Sequence, residues 1–530
     1  MNKSIILMAL LLSSCLLFAQ GQNKINGQIM GQLAPDQQVE PLEAARVLWI
    51  NTTTGALTDE KGNFSISVPR NLKEQKLVLI AAGYEQDTLE LTDMKEALKE
   101  GLKITLMAYS TDEVTIKSRS KGIRVSRLDP IRSELIGEVE LAKAACCNLS
   151  ESFETSGTVD VSFADAITGA KRIKMLGLDG VYTQILTETY PAIRGLATTF
   201  GLTAIPGPWM QSIQVSKGAA SVQNGYESLT GEINVEYKKP QNADRIYLNL
   251  YANQLGRIEG SLNLSHRFSQ RLSTMLLIHG NSFQRVIDPN GDGFRDLPAL
   301  GQYSFFNRWR WHTGKSWRGQ FGVKYFEEAR LGGQIQFDAE RDRGSNNAYG
   351  IEINTKRWEA FNKAGYVFQN NVGTSIGTQV VFSNHQQDAF FGMNAYQGQQ
   401  TSLFAKGLFS TILDNTNHKL TTGASFRYDA FEEMYNDSAF TRLEQVPGVF
   451  AEYTYNRLNR LIVVAGLRAD HHNLFGMIYT PRLHMKYDLD PNTTFRASVG
   501  SGFRVANVFA EYLPAMMSSR EVIVREPLNP

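Results

Sequence analysis

Cysteine is almost absent from the 530 residues: three in all, two of them adjacent, which excludes a disulfide-stapled scaffold. Net charge is nearly absent too, with 54 Lys plus Arg against 53 Asp plus Glu. Without a global positive field, a general nucleic-acid binder is excluded. Only 8 His are present, so a His-rich metal trap is excluded as well. Proline is sparse (16) beside 44 Gly, and there are 28 Phe, 20 Tyr and 6 Trp, a balance that favours β structure. Past the first twenty residues, no window holds ~18 uninterrupted apolar residues, so any membrane residence has to use strands rather than helices. No GxSxG, HExxH or P-loop pattern occurs, and nothing groups Ser, His and Asp into a catalytic set; the chain does not read as an enzyme.

What is present falls into regions of different periodicity. Residues 1–20 carry Lys3, then an apolar run from Ile5 to Ala19, the layout of a secretory signal. A lipid-modified start at Cys15 is the rival reading, since Leu12-Ser13-Ser14-Cys15 resembles a lipobox. Either way the chain is exported. Residues 22–108 show short alternating segments (26–30, 46–51, 64–68, 76–81, 102–107) separated by turn chemistry, which predicts a small β-sandwich. Residues 109–120 form a linker. Residues 121–240 are mixed: 135–153 has a helical pattern, then strand-like runs follow at 159–163, 172–175, 183–186, 210–215 and 231–237, with glycines at the turns.

From residue 243 onward one pattern repeats. Ile246, Leu248 and Leu250 alternate with Tyr247, Asn249 and Tyr251; Leu483, Met485 and Tyr487 alternate with Arg482, His484 and Lys486. Such segments run near ten residues, follow one another without helices, and number about thirteen. One apolar face and one face that includes Arg and Lys is what an antiparallel transmembrane β-barrel requires. Short turns are expected at 269–271, 313–317, 369–373, 414–418, 456–460 and 488–492. Longer loops are expected at 282–301, 329–356, 384–399 and 431–446. Trp309, Trp311, Trp317, Tyr325 and Tyr366 fall near strand ends, where aromatic girdles sit.

Two resemblances now carry weight. Thr58-Asp59-Glu60-Lys61-Gly62-Asn63-Phe64, with Ala82-Gly83-Tyr84, resembles the carboxypeptidase-regulatory-like domain, a non-catalytic sandwich. Residues 205–240, with the Ile213–Val215 strand, Lys217-Gly218, the Gly225 turn and Gly231 leading into Ile233-Asn234-Val235, resemble the end of the plug domain of TonB-dependent outer-membrane receptors. Residues 170–182 resemble the preceding plug strands, 146–154 the first plug helix, and 500–512 a mid-barrel motif of the same family.

The implied fold is mainly β: an N-terminal β-sandwich, an α/β plug domain and a transmembrane barrel. Family barrels close with 22 strands. About thirteen strands in 243–530, roughly 22 residues each, and the unnatural ending Val524-Arg525-Glu526-Pro527 lead to the expectation of a C-terminally truncated receptor. The implied function is import of a scarce ligand, with an iron–siderophore or similar metal chelate foremost. A copper or cobalamin receptor of the same fold, and a passive porin or surface adhesin, are the alternatives. The implied partners are TonB of the inner-membrane energising complex, outer-membrane lipid and a small metal chelate. TonB adds a strand to a short segment before the plug; Asp112, Glu113, Val114, Thr115 and Ile116 have that position and alternation. The sandwich and TonB box are then periplasmic.

Further constellations are candidates. Lys171, Arg172 and Lys174 could face an anionic ligand or pair with wall carboxylates. Asp288, Asn290, Asp292 and Asp296 stand at positions 1, 3, 5 and 9 of a calcium-type loop with Gly293 at the turn, but position 12 is Ala299 rather than Glu. Structural calcium and a rigid Asp/Gly turn are both open; no cofactor is required. Cys146 and Cys147 could offer thiolates to copper, or form a vicinal disulfide or packed thiols. His471-His472 and Met516-Met517 could face metal or simply lie exposed.

Overall fold

A computed structural model describes residues 23–32, 39–43, 45–69, 72, 74–81, 84, 87–91, 96, 99–107, 123–125, 133–143, 147–512 (apart from 155, 166, 242, 315, 370, 372, 458, 459, 491 and 492) and 516–517. The signal segment with Cys15, the Asp112–Ile116 box and Cys146 lie outside the described residues. The chain divides into two compact units after Tyr109.

The first unit is the expected sandwich. Strands β1 (Lys24–Gln32), β2 (Glu40–Pro41), β5 (Asn63–Ser67) and β8 (Leu102–Met107) form one sheet around β1; β3 (Arg46–Trp49), β4 (Gly55–Leu57), β6 (Lys76–Ile80) and β7 (Asp87–Glu90) form the other. Alternation drives Ile25, Ile29, Val47, Phe64, Ile66, Leu77 and Leu79 into one core around the fully buried Trp49. Its indole nitrogen donates to the Ser67 carbonyl at 3.0 Å, so the polar tip is satisfied. The turn before β5 closes as its residues dictate. The Asp59 carboxylate accepts from the Lys61 and Asn63 amides (2.9 and 2.8 Å), and Gly62 takes φ +76°. The two shortest strands, β2 and β4, are too short to show a period in the sequence.

In the second unit, residues 123–237 build a six-stranded sheet and a three-stranded one. The first contains β9 (Ile123–Val125), β10 (Ser133–Gly137), β14 (Thr183–Thr187), β15 (Tyr190–Ile193), β16 (Met210–Lys217) and β17 (Gly231–Tyr237), in the order β15-β14-β17-β16-β10-β9. The second contains β11 (Asp160–Phe163), β12 (Lys171–Met175) and β13 (Leu178–Asp179). The helical reading of 135–153 is corrected here. Residues 133–137 are strand β10, paired to β16; the helix α1 spans only Glu138–Lys143, and Glu151–Phe153 is a single 3₁₀ turn. Leu135 and Ile136 stand four and three residues before Val139, a helical spacing, but pairing with Gln214 and Ile213 decides the local conformation.

The remaining sheet has thirteen antiparallel strands in sequential order: β18 (Ile246–Ala252), β19 (Arg257–Ser269), β20 (Leu272–Phe283), β21 (Ala299–His312), β22 (Trp317–Gly333), β23 (Gly350–Val367), β24 (Ser375–Phe391), β25 (Asn394–Ile412), β26 (His418–Tyr435), β27 (Ser438–Arg457), β28 (Leu461–His472), β29 (Gly476–Asp490) and β30 (Thr493–Gly500). Its burial is inside-out. Ile246, Leu248 and Leu250 are 70%, 62% and 74% exposed, whereas Glu259, Ser261 and Asn263 are buried. Apolar side chains coat the outer face, while polar ones point toward the domain the sheet wraps. On the outer face, near the short-turn end, Phe268, Trp309 and Phe321 stack at 5.6 and 6.1 Å, and Trp317 meets Tyr366 at 5.0 Å, forming an aromatic band.

All six expected short turns separate strands at one end. The other end differs from expectation. Residues 284–298 and 334–349 are loops, but 384–399 and 431–446 are not: β24–β25 turn at Gly392-Met393, and β26–β27 turn at Asn436-Asp437. Strands of 17–20 residues reach ~55–65 Å, well beyond a ~30 Å hydrocarbon core. Beyond that core the outer face meets water and turns polar, while the inner face buries a mixture such as Gln387, Tyr396 and Phe431, so the apolar alternation fades while the hydrogen-bond ladder continues. That is why these segments read as loops.

Candidate functional site: the charged contact between inner domain and wall

The sheet encloses the 123–237 domain, and the two share a core. Trp209 and Tyr237 pack on Phe306 of β21 at 6.2 and 5.4 Å; Tyr190 packs on Phe361 of β23 at 5.8 Å. Around that apolar contact the side chains are charged, and three networks tie the inner domain to the wall.

The first sits on the β14–β15 hairpin. Glu188 and Thr189 both hold left-handed φ (49° and 68°), the geometry of a type I′ turn, although neither is glycine. The turn is pinned from two sides. Glu188 N–H donates to the Val235 carbonyl at 2.8 Å, and Thr189 N–H to Asn234 Oδ1 at 2.8 Å. The Glu188 carboxylate meets the fully buried Arg308 guanidinium through two bonds, 2.6 and 3.2 Å, with Lys363 Nζ at 3.8 Å. Burial alone would raise this carboxyl; the Arg308 and Lys363 cations outweigh it and hold it low. Beside it, Glu359 accepts from Tyr190 Oη (2.8 Å) and pairs with Lys324 (2.8 Å).

The second network centres on Arg194, between β15 and a 3₁₀ turn at Gly195–Thr198. Its terminal nitrogens meet Asp429 of β26 and Glu227 (2.9 Å), and Glu227 also binds Arg427 at 3.0 Å. Burial would raise the Glu227 carboxyl, but Arg194 and Arg427 bring it down to about 2. In the third network, Ser221 Oγ and Gln223 Nε2 donate to Glu452 of β27 (2.6 and 2.7 Å), and Arg482 of β29 donates to the Ala220 and Ser221 carbonyls (2.8 and 3.0 Å). Glu232, held among the described residues by Asn224 Nδ2 at 3.0 Å, is the exception in charge: burial pushes its carboxyl up to about 7, because Asn224, Arg482 and Lys406 offset too little of that cost.

Beyond β30 the chain turns inward across the inner domain. Phe503 N–H donates to the Tyr226 carbonyl (2.9 Å), Arg442 to the Ala506 carbonyl (3.2 Å), and Phe509 on helix α2 (Val508–Glu511) packs against Tyr396, Tyr435 and Phe440. A cavity lies between this segment and the inner domain, with Arg172, Gln184, Arg194, Thr199, Arg504 and Glu511 among its walls.

Lys171 and Arg172 line that cavity, but each is paired within its own domain: Lys171 with Glu154 at 3.2 Å, Arg172 with Asp179 at 3.1 Å. Lys174 is exposed and lies outside the lining. In the 288–296 loop the Asp288 carboxylate accepts from the amides of Asp292 and Gly293 (both 3.1 Å), and Asp292 accepts from Phe294 N–H (2.8 Å). The loop closes on itself, with Asn290 Nδ2 donating to Asp292 at 3.0 Å and Asp296 tied back through its amide to the Ile287 carbonyl. Among the described residues, no three His, Cys, Asp or Glu gather as a metal cluster. Cys147 is buried beside Glu259 and Glu151; burial first, then the Glu259 charge, pushes its thiol far up and opposes a thiolate. His472 is buried near Glu444, His471 is exposed, and Met516 and Met517 pack in the core with Phe391 and Phe509. The charged networks had one signal in the sequence: Glu, Arg and Asp at the polar positions of alternating strands.

Two family models match the chain: "TonB dependent receptor-like, beta-barrel" over residues 278–519, and "CarboxypepD_reg-like domain" over 29–116. Residues 278–519 belong to the TonB-dependent receptor β-barrel family. The inner domain lies outside that match, within the sheet that 278–519 largely build, and the three networks tie it to the wall. Solved structures of similar fold include FpvA of P. aeruginosa bound to heterologous pyoverdines, the ferric enterobactin receptor PfeA of Pseudomonas aeruginosa with enterobactin, and the siderophore receptor PirA of Acinetobacter baumannii. Each has a TM-score of 0.58, at 14%, 14% and 15% identity. They cover 80%, 71% and 71% of this chain, which spans 65%, 63% and 61% of theirs. No curated protein matches the sequence. The matched barrel family and these similar structures are receptors.

Proposed function

We propose that this chain acts as a TonB-energised outer-membrane receptor that imports an iron–siderophore or a similar small metal chelate. The observation that supports it most is the plug itself: a folded domain held inside an inside-out sheet by buried ion pairs, where a passive pore needs an open lumen. The aromatic band and the apolar outer face fit residence in outer-membrane lipid. In this reading the short-turn end, the sandwich and the Asp112–Ile116 box face the periplasm. TonB pairs with the box and pulls, and the plug–wall networks set how much force rearranges the plug. The long-strand end and the cavity under residues 504–511 meet the ligand. A copper-receptor role for the cysteine pair is disfavoured by the raised Cys147 thiol.

Growth on single metal sources tests the reading. A strain lacking its own chelate receptors and expressing this chain should grow on a ferric chelate as sole iron source. Rescue on copper or cobalamin alone, with none on any ferric chelate, would reassign the ligand; rescue on none would overturn the import reading.

A further inference from the structure

The charges around the cavity between the plug and residues 504–511 cancel. Lys171 faces Glu154, Arg172 faces Asp179, Arg194 is shared between Asp429 and Glu227, and Arg504 binds Glu511. A multiply charged anion entering here would have to break one of these pairs to gain a cation. What the walls lack is hydrogen-bond partners. Gln184, on β14 and 4% exposed, donates through Nε2 to the Asn224 carbonyl at 2.7 Å. That bond fixes which end of the amide is oxygen, and the Gln184 Oε1 left over has no partner among the described residues. Arg194 Nε is in the same condition, because its carboxylate contacts use only the terminal nitrogens. A buried unpaired acceptor and a buried unpaired donor on the walls of one cavity are each costly.

We propose that this cavity is the recognition site for an uncharged, amide-bearing part of the ligand. An amide offers the donor that Gln184 lacks and the acceptor that Arg194 lacks. The assignment rests on the chelate-receptor reading and narrows it: neutral peptidic chelates, such as ferric hydroxamates on a peptide backbone, are favoured over trianionic catecholates. Both orphan atoms are buried and residues 504–511 supply one wall of the cavity, so entry of a ligand group calls for that segment to shift. It is held by contacts that can release without unfolding the sheet: Thr199 Oγ1 on the Ala510 carbonyl at 2.5 Å, Arg442 on the Ala506 carbonyl, and Phe509 among three aromatic rings.

The test is equilibrium dialysis of the purified full chain in detergent, with two radio-iron probes: a neutral ferric hydroxamate on a cyclic peptide backbone, and a ferric tris-catecholate. The expected result is tighter binding of the neutral probe, weakened about tenfold or more by Gln184→Leu, which removes the acceptor. Ala510→Trp, which fills the cavity from the opposite wall, should weaken it likewise. Circular dichroism confirms that both variants keep the native strand signal. Equal affinity for the neutral probe in all three proteins, or preference for the catecholate, overturns the assignment while leaving a chelate receptor intact. Failure to bind either probe, together with no growth on any ferric chelate, removes the underlying reading as well.

Discussion

Replacing Glu188 by Ala removes the carboxylate that faces Arg308 and leaves a guanidinium that is 0% exposed. Its remaining partners are neutral, Gln320 Oε1 at 2.7 Å and the Lys238 carbonyl at 3.2 Å, and Lys363 lies close by as a like charge. Breaking a buried pair from one side costs about 3–5 kcal/mol, because the surviving charge stays desolvated and uncompensated. The turn is affected too, since Glu188 and Thr189 hold left-handed backbone that their side-chain and main-chain anchors stabilise. Amide hydrogen exchange of β14–β17 in the purified chain reads the loss directly. At about 1.4 kcal/mol per decade, plug amides should exchange roughly two to three and a half powers of ten faster. The double variant Glu188→Leu with Arg308→Met removes both charges, while the Lys363 bond to the Glu188 main-chain carbonyl survives; it should recover most of the protection. Acceleration below tenfold in the single variant, or equal exchange in single and double variants, would refute the argument that this pair latches the plug.

Two other predictions follow from the same geometry. Glu232 has a raised carboxyl, so the folded plug binds its proton more tightly than the unfolded chain; stability is fully present below about pH 4.5 and is lost as pH rises to about 7. Glu232→Gln should flatten that slope and stabilise the plug at pH 8 by up to about 3 kcal/mol, read as a shift in denaturant midpoint; an unchanged pH profile would contradict it. Val449, 60% exposed on the outer face of β27, should tolerate Arg poorly, at about 2–4 kcal/mol for a lipid-facing site near mid-depth, whereas a water-facing surface would cost almost nothing. Folding into vesicles at graded urea distinguishes the two.

Much of this architecture was legible because period two survives in sequence wherever one face is apolar. The longer sandwich strands, inner-domain strands β11, β12, β14, β16 and β17, the thirteen-strand count and the six short turns carried that pattern. Where the outer face turns polar and the inner one is mixed, as around Asn384–Gln399 and Phe431–Val446, the pattern vanished although the ladder persists. Strand β10 was misread because Leu135 and Ile136 fit a helical stripe, and only pairing with residues near 213 resolves them. The plug–wall networks were not legible as pairs: Glu188 and Arg308 are 120 positions apart, and Arg194 and Asp429 are 235 apart. Residue type placed these side chains on the polar face; closure of the sheet chose their partners. Lys171 and Arg172 illustrate the limit, since sequence left them to face an anionic ligand or pair with wall carboxylates, while the structure gives them Glu154 and Asp179 of their own domain.

The central claim is that a plug inside this sheet is moved by force applied to the segment before it. Uptake of a radio-iron chelate by cells expressing the chain, with and without residues 112–116, tests that claim most directly. The account predicts that the deletion abolishes accumulation inside the cell while surface binding of the chelate persists. Accumulation that continues at the full rate without residues 112–116 would contradict it.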